Sequence, residues 1–257
     1  MDSCVPSALS RTTKSGIPTV GTRSTVDEEV ANFVRQNPSL HLGGKDDFTT
    51  EREEHLKVFG FHALELDTSG HDLRKKNESA ALIYFHGGDT VGSVDEFEND
   101  LRIVAEESGA VIIGVEYQLA LERSLPIQLD DYDSMINGVQ GDEGRKRGIS
   151  PDQVCGGGDS AGGNMTAAAS LPRKDNRKKP LKAQLLYNGI FSFADHYATR
   201  SKSEDLKDLL PAVVFTCSFD PLRDVGVEYV HLPSASGLTH GLLQEESMKT
   251  TKLVGMD

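Results

Sequence analysis

The stretch Val154-Cys155-Gly156-Gly157-Gly158-Asp159-Ser160-Ala161-Gly162-Gly163 runs from a short apolar entry through glycines to a serine, and an alanine-rich segment follows it. That order reads as a strand, a sharp bend at Ser160 and a helix. Glycines on both sides let neighbouring backbone pass close to the bend without meeting a side chain. The helix that follows points its unpaired N–H groups back toward the serine oxygen. A serine presented in this way is a candidate nucleophile. The pattern Gly158-x-Ser160-x-Gly162 is common by itself, so the rest of the chain decides its meaning.

Upstream, Ala80-Ala81-Leu82-Ile83-Tyr84-Phe85 is a short apolar run, as a strand buried on both faces should be. A helix with a legible start comes next. Ser93 and Glu96 have the spacing of a capping box, and Phe97, Leu101, Val104 and Ala105 share one face. Val111 to Val115 reads as another buried strand, the region of Leu129 to Val139 as a helix, and Gln153 to Gly156 as the strand entering the serine bend. After the serine helix comes a basic loop, Arg173 to Lys179, and then strands around Ala183 to Tyr187 and Ala212 to Phe219. A short helix is expected between them, from about Ser203 to Leu209. Nearer the start, helices are expected over Val26 to Gln36 and Glu51 to Lys57, with an alternating strand at Phe61 to Leu66. Strands alternating with helices define an α/β protein with a mainly parallel sheet covered on both faces.

The 257 residues suffice for one sizeable domain with a proper core. Charged residues make up 26% and hydrophobic ones 37%, the balance of an ordinary globular chain. A net charge of −13 argues against nucleic acid or an anionic membrane as the main partner, because both require a basic face. No run has the length of a membrane span, and Met1-Asp2-Ser3-Cys4 carries no apolar signal core, so a cytoplasmic protein is the expectation. Cys4, Cys155 and Cys217 are too few and too scattered for a disulfide framework. Metal motifs of the H-E-x-x-H or paired-cysteine kind are missing, and neither metal nor cofactor is expected. The segment Gly156-x-Gly158-x-x-Ala161 formally fits a dinucleotide-binding turn. That reading needs an acidic residue closing a second strand about twenty residues on, where this chain has its basic loop.

A serine nucleophile needs a base, a carboxylate to orient the base, and donors for the oxyanion. In open α/β sheets such groups collect beyond the carboxyl ends of the strands. His86-Gly87-Gly88-Asp89 follows the strand ending at Phe85, and Asp220 follows the strand ending at Phe219. His240 stands in Thr239-His240-Gly241, read as a late loop flanked by glycines. The chain order Ser160, Asp220, His240 is one that distinguishes a single class of serine hydrolase from the others.

With these residues the sequence resembles the hormone-sensitive-lipase-like (type IV) α/β-hydrolases, a family of esterases and lipases. His86-Gly87-Gly88 stands for its HGGG signature and Gly158-Asp159-Ser160-Ala161-Gly162-Gly163 for its GDSAGG box. Tyr117-Gln118-Leu119-Ala120-Leu121-Glu122 is similar to its YRLAPE segment, Asp220-Pro221-Leu222-Arg223-Asp224 to its DPLRD, and His240-Gly241 to its late His-Gly. The resemblance implies an α/β-hydrolase fold with a short N-terminal helical cap. It also implies hydrolysis of carboxylic esters without metal or cofactor. The stretch between Tyr187 and Leu210 is short where the family carries further cap material, so an open, shallow pocket is expected, and it favours small, soluble, short-acyl esters. Ser160 would be the nucleophile, His240 the base and Asp220 its orienting carboxylate, with backbone N–H groups of Gly87, Gly88 and Ala161 in the oxyanion hole. Residues 1–55 are then expected as a flexible arm and partial cap, and residues 56–257 as the hydrolase core.

Two departures from the family pattern carry consequences. Asp89 replaces the third glycine of the signature and sets a carboxylate beside the developing negative charge. Between the strand ending at Phe219 and a candidate strand Val227 to Leu232, only Asp220 to Gly226 remain, too few for the crossover that parallel neighbours need. The C-terminal crossover helix is therefore expected to be missing. Either the last strand does not pair in parallel, or the His240 loop is displaced from Ser160. The alternative to a catalytic reading is a hydrolase scaffold that binds a small ligand or partner without turning it over.

Overall fold

Among the described residues six strands form one sheet in the order β2-β1-β3-β4-β5-β6, and every neighbouring pair is parallel. The computed structural model describes residues 28–38, 47, 49–50, 52–53, 79–88, 91–187, 210–217, 220–235 and 240–245. The elements in chain order are α1 (Glu28–Gln36), β1 (Ser79–Phe85), α2 (Glu98–Ser108), β2 (Val111–Val115), α3 (Ile127–Gln140), α4 (Asp142–Lys146) and β3 (Ile149–Asp159). They continue with α5 (Ser160–Asp175), β4 (Gln184–Tyr187), β5 (Ala212–Cys217), α6 (Arg223–Ala235) and β6 (His240–Glu245). A 3₁₀ turn, Val94–Phe97, leads into α2, and the Glu96 carboxylate accepts the Ser93 N–H at 3.1 Å. The expected helix over Ser203 to Leu209, the strand at Phe61 to Leu66 and most of residues 1–55 lie outside the described residues.

The core explains why the central strands are apolar runs. β1 has neighbours on both edges, and Ile83 and Phe85 are fully buried. The Phe85 ring lies 4.2 Å from that of Tyr132 in α3 and 5.4 Å from that of Tyr117, an aromatic cluster beneath the serine bend. Such pairs contribute about 0.5–1.5 kcal/mol each beyond their burial. Helix α5 is buried continuously from Ala161 to Leu171 and serves both halves of the core. Met165 and Ala169 join the cluster of Phe85 and Tyr132, while Ala167 joins Leu186, Val214, Val227 and Val230. A helix enclosed on all sides needs small residues rather than an amphipathic stripe, which is what the alanine-rich sequence supplies.

The C-terminal half corrects one expectation. Residues 223–235 form a helix rather than the strand read from Val227 to Leu232, so the crossover helix is present. Val-Glu-Tyr-Val has strand-like composition, but two parallel neighbours demand a crossover, and the chain spends these residues on it. Arg223, Gly226, Val227 and Val230 recur at helical spacing, and all four are buried. The parallel strand that must follow is thereby pushed downstream and begins at His240.

The basic loop is anchored through Arg173, whose guanidinium is 4% exposed. It donates to Asp133 Oδ1 at 2.5 Å, Asn137 Oδ1 at 2.9 Å, Gln140 Oε1 at 3.0 Å and the Lys179 carbonyl at 2.7 and 3.2 Å. Lys178 Nζ reaches Asp133 Oδ2 at 2.7 Å. Partial burial pushes the Asp133 carboxyl up, but the bonds from Lys178 and Arg173 outweigh it, and the net direction is down from 3.8. A carboxylate whose folded-state pKa is depressed adds stability that is complete above the unfolded value and drains away as pH falls through the folded one. Asp133→Asn is therefore expected to flatten the loss of urea resistance below pH 3.8, measured against the parent at pH 7 and pH 3.

Candidate active site

Ser160 is the first residue of α5 and directly follows β3, with φ +44°. A non-glycine residue in this left-handed region is strained by about 1–2 kcal/mol, and the bend between buried strand and buried helix holds it there. The close approach of the two elements is visible at Gly162, where a Cβ would stand 1.8 Å from the Phe85 carbonyl oxygen. Only hydrogen fits between α5 and the end of β1. Because glycine tolerates φ +44° without strain, Ser160→Gly is expected to raise stability by about 1 kcal/mol while removing the hydroxyl. The check is a thermal midpoint above that of the parent.

The turn after β1 lies against this bend. Gly87 is buried beside Ser160, and a Cβ built on it would be 3.0 Å from the serine Cβ. Gly88 has φ +91°, and its carbonyl accepts the Val91 N–H at 2.5 Å. His86 supports the turn from below. Its fully buried ring stacks on Tyr117 at 4.5 Å, and its Nδ1–H donates to the Gly87 carbonyl at 2.7 Å. Tyr117 in turn donates its hydroxyl to the His86 carbonyl at 3.0 Å. His86 therefore acts as a scaffold for the glycine turn. Asp89, beside Gly88 in sequence, lies outside the described residues.

One expected oxyanion donor is committed elsewhere. The Gly87 N–H donates to Asp159 Oδ1 at 2.8 Å, so of the backbone groups named from sequence it is Gly88 and Ala161 that remain candidates for an oxyanion. Tyr84 donates its hydroxyl to the same Asp159 oxygen at 2.7 Å. Burial pushes the Asp159 carboxyl up while these two bonds pull it down, and burial prevails. Sequence reasoning missed both residues. The signal was there in the strand register: Phe85 pairs with Gly158, which sets Tyr84 and Asp159 on one face of adjacent strands.

Asp220 stands just past the carboxyl end of β5, at the same edge of the sheet as Ser160. Its Oδ1 accepts the Leu222 N–H at 2.6 Å, and its carbonyl accepts the Arg223 N–H at 3.2 Å. The carboxylate thus opens the turn into α6. His240 is a second correction, since it opens strand β6 rather than standing in a loop beyond the sheet. Its register partner is Ala212, the first residue of β5. Asp159 aligns through Tyr187 and Phe215 with Leu243. His240 therefore sits three residues back along its strand, about 10 Å, and three strand spacings away, about 14 Å. The structure brings Ser160, Gly87, Gly88 and Ala161 together and sets Asp220 at the same edge. It does not bring His240 to them.

A parallel sheet with a serine held at positive φ between a central strand and a buried helix defines an α/β-hydrolase. The family model for the alpha/beta hydrolase fold matches residues 82–204. Esterase LipI of Mycobacterium tuberculosis is 28% identical over 198 residues, which is 63% of this chain and 62% of LipI. An arylesterase of Saccharolobus solfataricus is 27% identical over 260 residues, covering 84% of this chain and 78% of the arylesterase. The solved hyperthermophilic esterase of Pyrobaculum calidifontis superposes with a TM-score of 0.72 at 24% identity, over 86% of this chain and 88% of that one, a likeness of fold. The chain has the α/β-hydrolase fold and is similar in sequence to these esterases. It spans less than two thirds of the length of LipI. Among the described residues no helix is long and apolar enough to cross a membrane.

Proposed function

We propose that this chain acts on small, soluble carboxylic esters through Ser160, at low turnover. The observation that carries the reading is Ser160 at φ +44° beside the Gly87-Gly88 turn. Attack by Ser160 Oγ on the ester carbonyl forms a C–O bond and places the negative charge on the former carbonyl oxygen. The N–H groups of Gly88 and Ala161 are the donors for that oxygen, each worth about 3–4 kcal/mol when well aimed. Collapse expels the alcohol and leaves an acyl-serine, which water then cleaves. The family motifs imply Asp220 and His240 as the triad partners of Ser160, His240 as the base and Asp220 its orienting carboxylate. Because the register of β6 leaves His240 about 17 Å from Ser160, water rather than His240 takes the serine proton and returns one to the departing alcohol, and this is the reason for expecting low turnover. Names of relatives, esterase and arylesterase, support the substrate class.

The test is covalent labelling. A fluorophosphonate should give one adduct, located at Ser160 by peptide mass spectrometry and missing in Ser160→Ala. Hydrolysis of p-nitrophenyl acetate should be faster than hydrolysis of long-chain analogues. A folded chain that forms no adduct at Ser160 defeats the proposal. The register of His240 favours one second reading, a hydrolase scaffold that binds a small ester or acid without turnover. Saturable binding of p-nitrophenyl acetate analogues with no adduct would select it.

A further inference from the structure

Asp159 occupies the N-cap position of α5, with φ −105° and ψ 155°, the conformation from which an aspartate ordinarily caps the helix. It makes no side-chain cap bond to α5. Instead its Oδ1 faces β1 and accepts two donors, the Tyr84 hydroxyl at 2.7 Å and the Gly87 N–H at 2.8 Å. Oδ2 lies so close to Gly87 that a Cβ on that residue would meet it at 2.3 Å. The carboxylate therefore grips the turn after β1 from the residue adjoining the nucleophile. Two consequences follow from this geometry. The first-turn N–H groups of α5 are left uncapped by the Asp159 side chain. The peptide that carries the Gly88 N–H is fixed relative to Ser160, because its preceding N–H is tied to the residue before that serine.

We infer that Asp159 is a positioning residue that sets the Gly87-Gly88 turn against Ser160, with Tyr84 as its second anchor. This rests on the reading of Ser160 as the nucleophile. Asp159 touches neither ester nor oxyanion and acts through the aim of the Gly88 donor. Removing it should lower the rate of attack rather than the affinity for the ester.

Two measurements test this on the full chain. The first is the saturation kinetics of fluorophosphonate labelling at Ser160. Asp159→Ala should slow the limiting rate by about 10- to 100-fold, with the half-saturating concentration within about twofold of the parent. Asp159→Asn keeps an oxygen able to accept both donors and should restore most of that loss, and Tyr84→Phe should fall between. The second measurement is hydrogen exchange at the Gly87 amide, which needs no chemistry at Ser160. It should be protected in the parent and in Asp159→Asn, and at least about tenfold faster in Asp159→Ala. Labelling of Asp159→Ala at the parental rate overturns the inference, and so does an equal loss in Asp159→Asn and Asp159→Ala. A parent that does not label overturns the nucleophile reading instead. In that case Gly87 exchange decides alone: acceleration in Asp159→Ala upholds the grip on the turn, and unchanged exchange overturns it.

Discussion

Replacing Arg173 by leucine is expected to cost about 3–5 kcal/mol of folding stability, read as a fall in the urea midpoint. The guanidinium makes five hydrogen bonds, to three side chains of α3 and to the Lys179 carbonyl of the loop before β4. Leucine fills part of the volume but leaves the buried Gln140 Oε1 without that donor, while the Lys179 carbonyl belongs to an exposed residue and can turn to water. Leaving a buried polar group unpaired costs about 1–3 kcal/mol each, more than the net value of the bonds themselves. Asp133 keeps Lys178, so its charge is not wholly stranded. Arg173→Lys preserves the charge but not the planar fork that reaches α3 and the loop together, and should recover less than half of the loss. Combining Arg173→Leu with Asp133→Asn should cost less than the sum of the two, since they share one network. A loss below about 1 kcal/mol for Arg173→Leu would show that the network orders the loop without contributing to stability.

That network also marks where reading from sequence stops. The α3 side chains that meet Arg173 lie 33 to 40 residues from it along the chain, so no local pattern announces them. The strands were legible because burial on both faces forces apolar runs, and β1, β2, β4 and β5 begin and end close to their expected limits. The first half of β3 was not. Ser79 pairs with Ile149 and Ala81 with Val154, so Pro151 and the polar residues Ser150, Asp152 and Gln153 are accommodated in a register shift that no alternation betrays. In α6 two local signals competed. Val227, Tyr229 and Val230 favour a strand by composition, while Arg223, Gly226, Val227 and Val230 line up on one helical face. Topology decided between them, since a helix is what lets β5 and β6 lie side by side in parallel. At the site, the serine bend and the glycine turn were readable from spacing. The grip of Asp159 on Gly87 was not, because an aspartate before a helix normally turns the other way and caps it.

His240→Ala is expected to change p-nitrophenyl acetate hydrolysis by less than about threefold, against the roughly 10⁶-fold loss that follows removal of the base from a working triad. The reason is the register. His240 pairs with Ala212 at the amino edge of the sheet, whereas Ser160 rises from the carboxyl edge. The two are about 17 Å apart by strand spacing and rise, beyond the reach of an imidazole. Triad members act as a unit, so a serine without its base also contributes little to turnover. Ser160→Ala should then lower steady-state hydrolysis far less than it would in a complete triad, while still abolishing the covalent adduct. What remains is the contribution of the oxyanion donors and ester binding, about 10³–10⁴ over the uncatalysed reaction when such a hole is well formed. Added imidazole can supply the missing base, and its stimulation of the parent should exceed that of Ser160→Ala. A drop of about 10³-fold or more in His240→Ala would mean that β6 pairs differently in solution and carries His240 to the serine. Turnover and labelling together thus separate a base held at the wrong edge of the sheet from one that is engaged.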